Sequence, residues 1–214
     1  EMRTIMLLNP KGGCGKSTLA TNLASYYASR GQNVTLADLD PQGSSLDWLN
    51  ARPATVPEIR GIAAWSEPLR IPKSCDVVIL DAPAATHGKA LTALMRRTET
   101  LLMPVLPSPI DMRAVAKFIE ELLASGRVQR DQTRIGVVAN RVREHTIIFH
   151  ELESFLKHLK VPFVGTLRDT QNYIRAAAGG VGVFEMAPSQ VYQDVEQWQP
   201  LLKWLRSKRS LPKG

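Results

Sequence analysis

The sequence of 214 residues has few cysteines and no long hydrophobic run. Cys14 and Cys75 are too few for a disulfide framework or a cysteine-ligated metal cluster, which fits a reducing compartment. No apolar stretch approaches the roughly 20 residues that a membrane-spanning helix needs. The first predicted strand begins at Arg3, so we expect no signal peptide. We therefore expect a cytoplasmic protein, organised as one globular domain over residues 1–214.

Acidic residues are in the minority. The chain has 27 Lys and Arg against 20 Asp and Glu, a formal net charge of +7. Such an excess favours polyanionic partners, but it does not choose between nucleic acid, acidic lipid and an acidic protein. The segment 209–214 contains Arg209 and Lys213, and we expect a flexible tail or a cloning remnant there.

A glycine-rich loop is the most informative feature that is present. Residues 9–18 read Asn-Pro-Lys-Gly-Gly-Cys-Gly-Lys-Ser-Thr. Small residues let successive backbone N–H groups surround a phosphate, while Lys16 supplies positive charge and Ser17 a hydroxyl for Mg²⁺. The small residues of this loop are Gly12, Gly13 and Gly15. Pro10 stands where the ordinary motif has glycine, and Lys11 adds a second cation, so the motif is a variant of the phosphate-binding loop.

Cys14 lies inside this loop and has two interpretations. The positive potential of the loop could lower the pKa of its thiol. Alternatively, Cys14 is simply a small side chain tolerated at a variable position, which is the interpretation we favour.

Short apolar runs alternate with helical patterns along the chain. Strands are predicted at 3–8, 33–38, 77–80, 100–106, 134–139 and 163–166. Helices are predicted from Leu19 to a stop at Gly31, at 46–49, 88–97, 110–125 and 147–159, near Tyr173, and at 189–208. Residues 51–74 show little periodicity and are predicted to be irregular or to contain only short elements. This alternation predicts an α/β fold: a single, doubly wound, mostly parallel sheet with helices on both faces, as in P-loop NTPases.

Carboxylates follow two of the predicted strands. Asp81 ends an apolar run, where it can orient Mg²⁺ opposite Ser17. Asp38 and Asp40 come at the end of the second strand, and Asp40 is the better candidate to orient a water molecule for attack on a phosphate. Asp38 has either a supporting role or a purely structural one. Carboxyl ends of parallel strands share one edge, so these groups are expected to meet at one site.

Three segments together resemble the signatures of the ParA/MinD family of ATPases: residues 11–18, 38–43 and 81–83. The resemblance covers essentially the whole chain and is closest in character to small standalone ParA-type partition or cargo-positioning ATPases, including proteins that position carboxysomes. Ala84 departs from the second proline that many relatives have at this position. The difference leaves the family resemblance intact. It changes the segment that follows Asp81, which is the second of the family's switch segments.

The resemblance implies an ATPase that uses ATP and Mg²⁺ and forms a homodimer when ATP is bound. Lys11 would cross the dimer interface, Lys16 would bind phosphate in its own subunit, and Asp40 would position water; these three are the implied catalytic residues. Ser17 and Asp81 would serve the metal. The implied nucleotide contacts are Lys11, Gly12, Gly13, Cys14, Gly15, Lys16, Ser17, Thr18, Asn140 and Arg141.

The family also suggests partners. In the favoured hypothesis, the dimer binds double-stranded DNA without sequence preference, associates with the nucleoid and positions a plasmid, chromosome or protein body. A ParB-like or cargo-adaptor protein would stimulate hydrolysis and release it. The candidate DNA contacts are Arg168, Arg175, Lys203, Arg206, Lys208 and Arg209.

The alternative hypothesis is a MinD-like regulator anchored to a membrane by its C-terminal helix. Val195, Trp198, Leu202 and Leu205 lie on one face of that helix. However, Leu201 and Trp204 widen the apolar face, and Pro200 is predicted to interrupt the pattern or to open a new helix. These features favour docking of the helix onto the domain, without membrane binding.

Overall fold

The computed structural model describes all 214 residues and contains one seven-stranded sheet. Every strand pairing is parallel, and the strand order is β3-β2-β4-β1-β5-β6-β7. The strands are β1 (Arg3–Leu7), β2 (Val34–Asp38), β3 (Arg60–Ala63), β4 (Val77–Asp81), β5 (Thr100–Val105), β6 (Arg134–Val142) and β7 (Phe163–Arg168). The predicted doubly wound α/β fold is confirmed, and the sheet is parallel throughout.

Eight α-helices connect and cover the strands. They are α1 (Lys16–Ser29), α2 (Ser44–Asn50), α3 (Gly88–Met95), α4 (Pro109–Leu123), α5 (Gly126–Gln129), α6 (Ile147–Lys157), α7 (Gln171–Ala178) and α8 (Pro188–Arg206). Two further segments, Val183–Glu185 and Lys208–Ser210, are 3₁₀ turns. Two hydrophobic clusters of 26 and 25 buried residues lie on opposite faces of the sheet. This two-sided burial explains the nearly continuous apolar strands.

Most predicted elements exist, and the largest difference is β3. It lies within residues 51–74, which were predicted to be irregular or to contain only short elements, with no strand specified. The strand has four residues, includes Gly61 and begins with an exposed arginine, so it shows no alternating pattern. Its pairing with β2 at the edge of the sheet holds it in place. Tertiary pairing therefore decides a strand that local propensity does not indicate.

The C-terminal helix packs onto the domain. Trp198, Leu202 and Leu205, the predicted membrane-facing stripe, are buried in the second hydrophobic cluster, and Val195 packs against it partly buried. The helix also continues through Pro200, so the predicted interruption is wrong. Packing of α8 on β7 compensates for the hydrogen bond that proline removes. Docking is thus confirmed for this stripe, and none of the helices combines the length and hydrophobicity needed to cross a bilayer.

The parallel arrangement gives the sheet two distinct edges. At the carboxyl edge, the loops after β1, β2, β4, β5 and β6 come together. At the amino edge, the strands begin and the intervening helices end. The segment 209–214, for which we expect a flexible tail or a cloning remnant, lies at the amino edge. There Ser210 is buried and accepts a hydrogen bond from Arg3, and Lys213 pairs with Asp131 at 2.8 Å.

Candidate nucleotide-binding site

The glycine-rich loop joins β1 to the N-terminus of α1 and presents free backbone donors. The N–H groups of residues 12–18 make no hydrogen bond within the protein. Gly13 and Gly15 have φ angles of 81° and 88°, which L side chains rarely adopt. A Cβ at Gly15 would lie 2.1 Å from Nδ2 of Asn140. The loop is therefore a nest of N–H groups at the positive end of a helix, suited to a phosphate.

Lys16 and Ser17 both contact Asp81. The Lys16 ammonium donates to Oδ1 of Asp81, and the Ser17 hydroxyl donates to Oδ2 over 2.8 Å. Ser45, at the start of α2, donates to the same Oδ2 atom. Asp81 is fully buried, and it ends β4 directly beside β1. Three donors from two helices, α1 and α2, thus hold this carboxylate in a single orientation.

The residues present fit a magnesium ion bound together with a nucleotide. Ser17 and Asp81 offer the hard oxygen ligands that Mg²⁺ prefers. The chain contains no group of three or more His, Cys, Asp or Glu side chains that could hold a metal ion. The rest of an octahedral shell would have to come from phosphate oxygens and water, as is usual for Mg²⁺ at nucleotide sites.

The two aspartates after β2 have different environments. Asp38 is buried, and its Oδ2 accepts hydrogen bonds from the N–H groups of Ser45 and Leu46 at 3.0 and 3.2 Å. Burial, followed by the nearby charge of Asp81, raises the pKa of Asp38 above its ordinary value. Asp40 is more exposed and lies 3.9 Å from Nζ of Lys16. Asp38 therefore fixes the start of α2, while Asp40 accepts a hydrogen bond from the Gln42 N–H through Oδ1 and turns Oδ2 towards Lys16.

Lys11 is paired within its own chain. Its Nζ lies 3.4 Å from Oδ1 of Asp111, a buried carboxylate in the first turn of α4. The Cys14 thiol donates to the same oxygen over 3.3 Å. Burial and then this hydrogen bond raise the pKa of Cys14 to about 12. The prospect of a lowered pKa for Cys14 is therefore wrong, and its role as a small buried residue agrees with the structure.

Asn140 and Arg141 close the loop from the end of β6. Asn140 donates to the carbonyl of Cys14 over 2.9 Å, and Arg141 donates to that of Gly13 over 3.0 Å. Beside them is a cleft of about 420 Å³, which reaches Thr18 on one side and α7 on the other. A cleft that opens next to a phosphate nest has the position needed for the base and sugar of a nucleotide.

Comparisons with known proteins agree with this geometry. The family description "CobQ/CobB/MinD/ParA nucleotide binding domain" matches residues 5–183. The chain belongs to the ParA/MinD family. It is 30% identical over 192 residues to maintenance of carboxysome distribution protein A from Halothiobacillus neapolitanus, covering 86% of this chain and 87% of that protein.

One further relative and one solved structure are also similar to this chain. The chromosome-partitioning ATPase Soj of Thermus thermophilus is 29% identical over 193 residues, covering 73% of this chain and 76% of that protein. A plasmid partition protein of Borrelia burgdorferi, solved with AMPPNP, superimposes with a TM-score of 0.72 at 15% identity, covering 95% of this chain and 99% of that chain. The chain is therefore a nucleotide-binding P-loop protein, related to proteins that position cellular cargo.

The predicted DNA contacts of this ParA/MinD chain do not form one surface; Lys208 and Arg209 are exposed and follow α8 at the amino edge. Arg168 donates through Nε and Nη2 to the buried carboxylate of Asp194, at 2.7 and 3.2 Å, and this contact ties α8 to the end of β7. Arg175 is exposed on α7, near the carboxyl edge. Lys203 and Arg206 lie in the last turn of α8, at the amino edge. Their role as DNA contacts stays a prediction, and Arg168 also has a structural role.

Sequence reasoning missed two residues of the site. Ser45 supports Asp81, and Asp111 pairs with Lys11. The sequence does give one signal for Asp111: it closely follows Pro107, just after the carboxyl end of β5, where site residues are expected. Ser45 gives none, since its contact depends on the path of the loop between β2 and α2.

Proposed function

We propose that this protein is a cytoplasmic, ATP-hydrolysing switch that dimerises on ATP, binds double-stranded DNA of the nucleoid and positions or segregates a cargo. A ParB-like or cargo-adaptor protein would stimulate hydrolysis and so release the protein from DNA. The similarity to carboxysome distribution protein A and to Soj supports the positioning role. The chemistry of the loop is the same whether the cargo is a plasmid, a chromosome or a protein body.

One observation carries the nucleotide chemistry. The free N–H groups of residues 12–18 converge with Lys16, Ser17, Asp40 and Asp81 at the carboxyl edge. Phosphoryl transfer needs positioning and charge stabilisation more than covalent catalysis. The N–H nest and Lys16 would hold the phosphates, and a bound Mg²⁺ would neutralise their charge. Asp40 has the exposure and the position to hold a water molecule in line.

Lys11 would connect nucleotide binding to dimerisation. It is the one lysine of the loop with a half-exposed side chain, at 47%, whereas that of Lys16 is only 8% exposed. A half-exposed cation at the rim of the site can reach a phosphate in a second subunit, much as an arginine finger does. Nucleotide occupancy would then favour the dimer, because a shared ligand that binds only the dimer shifts the equilibrium towards it.

The test measures three properties of the purified protein with ATP and with ADP: molecular mass by light scattering, phosphate release, and retention on plasmid DNA. We expect a dimer and DNA retention with ATP and a monomer with ADP. A Lys16→Ala variant should lose all three ATP effects, because it removes the cation nearest the phosphates. A wild-type protein that stays monomeric with ATP would overturn the proposed switch.

A further inference from the structure

The excess positive charge of the chain is concentrated at the amino edge. Three segments meet there: residues 96–99 after α3, residues 126–134 around α5, and residues 208–213 after α8. Together they contain eight Lys or Arg and two acidic residues, Glu99 and Asp131. We call these three segments the amino-edge patch. Its net charge of +6 is most of the +7 of the whole chain.

Hydrogen bonds join the three segments into one surface. The Thr133 hydroxyl donates to the carbonyl of Thr98 over 2.9 Å, which connects α5 and β6 to the end of α3. Nε of Arg134 donates to the carbonyl of Arg209 over 3.0 Å, which connects β6 to the segment after α8. Lys213 then pairs with Asp131. The patch is therefore contiguous and rests on the folded core.

Most cations of the patch have no partner in the protein. Five are exposed, and their side chains make no hydrogen bond or ion pair: Arg96, Arg97, Arg130, Lys208 and Arg209. The acids near them are already engaged. Asp131 is paired with Arg134 and Lys213, and Glu99 accepts a hydrogen bond from the backbone of Thr4.

Helix dipoles account for only part of this charge. The C-termini of α3, α5 and α8 point into the patch, and cations at helix C-termini are favourable in themselves. Each helix end corresponds to about −0.5 of an elementary charge, so three ends offset about −1.5. Five unpaired cations exceed that value more than threefold. The surplus makes the patch a favourable surface for an external polyanion.

We propose that the amino-edge patch binds the phosphate backbone of double-stranded DNA, independently of the nucleotide state. This proposal rests on the proposed function for the kind of polyanion. Nucleic acid fits better than a membrane, because none of the exposed large hydrophobic residues belongs to the patch. An interfacial membrane site needs such side chains to enter the acyl region. Four of the five unpaired cations are arginines, which suit phosphate recognition.

The location of the patch separates DNA contact from nucleotide contact. The amino edge lies across the sheet from the phosphate loop, so a dimer formed through Lys11 leaves both patches open. One subunit would bind DNA weakly in any nucleotide state. A dimer has two patches on one long DNA molecule, and such avidity raises affinity by about 10² to 10⁴ without a new contact. ATP would then control retention on long DNA only by changing the number of patches that one protein particle presents, from one in the monomer to two in the dimer.

The test compares three double variants that lower the net charge by the same amount. Arg97→Glu with Arg130→Glu changes the patch, and Arg175→Glu with Lys203→Glu changes two cations of the earlier prediction. Arg113→Glu with Lys117→Glu changes exposed cations of α4 and is the matched control. Binding to a short fluorescent duplex is measured by anisotropy over a salt series, with ADP and with ATP. Melting temperature and binding of a fluorescent ATP analogue check folding.

The patch variant should lose about tenfold or more in affinity, and its slope of log affinity against log salt should fall by about 1.8, which corresponds to two phosphate contacts. The control should stay within about twofold of wild type, and ADP and ATP should give equal affinity for the short duplex. If the patch variant does not fold, Arg97→Gln with Arg130→Gln replaces it and should show about the same change in slope, because it removes the same two phosphate contacts.

Three results would overturn the proposal. A patch variant that binds the duplex like the control places the DNA site elsewhere, while the proposed function stands. A larger loss in the variant with Arg175→Glu and Lys203→Glu assigns the main DNA contacts to α7 and α8 and not to the amino-edge patch. Wild-type protein that hydrolyses ATP but binds only vesicles of phosphatidylglycerol and phosphatidylcholine removes DNA from the proposed function as well.

Discussion

The two edges of the sheet use their cations in different ways. At the carboxyl edge, Lys11 and Lys16 are each paired with a buried carboxylate, Asp111 and Asp81. At the amino edge, exposed arginines such as Arg97 have no partner. A paired cation has a fixed position, which a reaction at a phosphate requires. An unpaired, solvated cation tolerates many geometries, which is sufficient for a DNA backbone of any sequence.

The first prediction tests whether removing a cation that is paired with a buried carboxylate lowers the free energy of unfolding more than removing an unpaired one. The side chain of Arg52 is buried and binds Glu185 through two hydrogen bonds of 2.9 and 2.7 Å. Arg52→Ala would leave an uncompensated buried carboxylate, so we expect a loss of about 3–5 kcal/mol in the free energy of unfolding. Urea denaturation followed by circular dichroism measures this change.

Arg97→Ala is the control at the amino edge. Arg97 is exposed and unpaired, so its removal should change stability by less than about 0.5 kcal/mol. Equal losses in the two variants would contradict the distinction between paired and unpaired cations.

The second prediction separates chemistry at the carboxyl edge from DNA binding at the amino edge. Asp40→Ala should reduce ATP hydrolysis about 100-fold or more, equivalent to about 2.7 kcal/mol, because it removes the group that we propose orients water. ATP binding should persist, since Lys16 and the N–H nest remain. Phosphate release and equilibrium dialysis measure the two properties.

The Asp40→Ala protein should therefore accumulate as an ATP dimer that stays on plasmid DNA. Asp47→Ala, at an acidic residue within α2, is the control and should hydrolyse ATP like wild type. Normal hydrolysis by Asp40→Ala would show that another group positions the water.

The residues inside the sequence motifs could be predicted from the sequence more completely than the residues that hold them in place. Lys16, Ser17 and Asp81 were found because a glycine loop and the end of an apolar strand are local patterns. The pairing of Lys11 with Asp111 could not be found, since it joins residues 100 positions apart through the packing of α4. Asp38 illustrates the same limit, because only the path of the backbone shows that it caps α2.

The clustering of cations in space also could not be predicted from the sequence. Net charge and a basic C-terminus are visible in the sequence, but their meeting with Arg97 and Arg130 depends on the strand order. Likewise, β3 exists because β2 offers an edge, and α8 continues through Pro200 because its apolar face is buried. These features arise from contacts distant in sequence, which composition and periodicity do not encode.

The third prediction concerns release of the paired Lys11. Asp111→Asn should remove the charge that holds Lys11 in its own chain and so favour its reach into a second subunit. Lys11 is half exposed and its pair is correspondingly weak, so we expect the ATP-dependent dimer to tighten by at most about tenfold. Sedimentation in an Asp40→Ala background measures dimerisation without turnover. With Lys11→Ala present as well, Asp111→Asn should have no effect, and a persisting effect would assign it to Asp111 alone.

The fourth prediction has the smallest effect and sharpens the comparison at the amino edge. Asp131 is the acid that neutralises part of the patch, and a hydrogen bond from Lys213, helped by the charge of Arg134, holds the pKa of Asp131 below its ordinary value. Because this pKa is lowered, the carboxylate stays ionised as pH falls from 8 to 5, so it should cause no pH dependence of DNA binding there. Asp131→Asn should free both cations and raise affinity for a short duplex about two- to threefold at low salt. Glu153→Gln, on α6, is the control of equal charge. An increase of the same size in both variants would mean that overall net charge, and not the amino-edge patch, determines affinity for DNA.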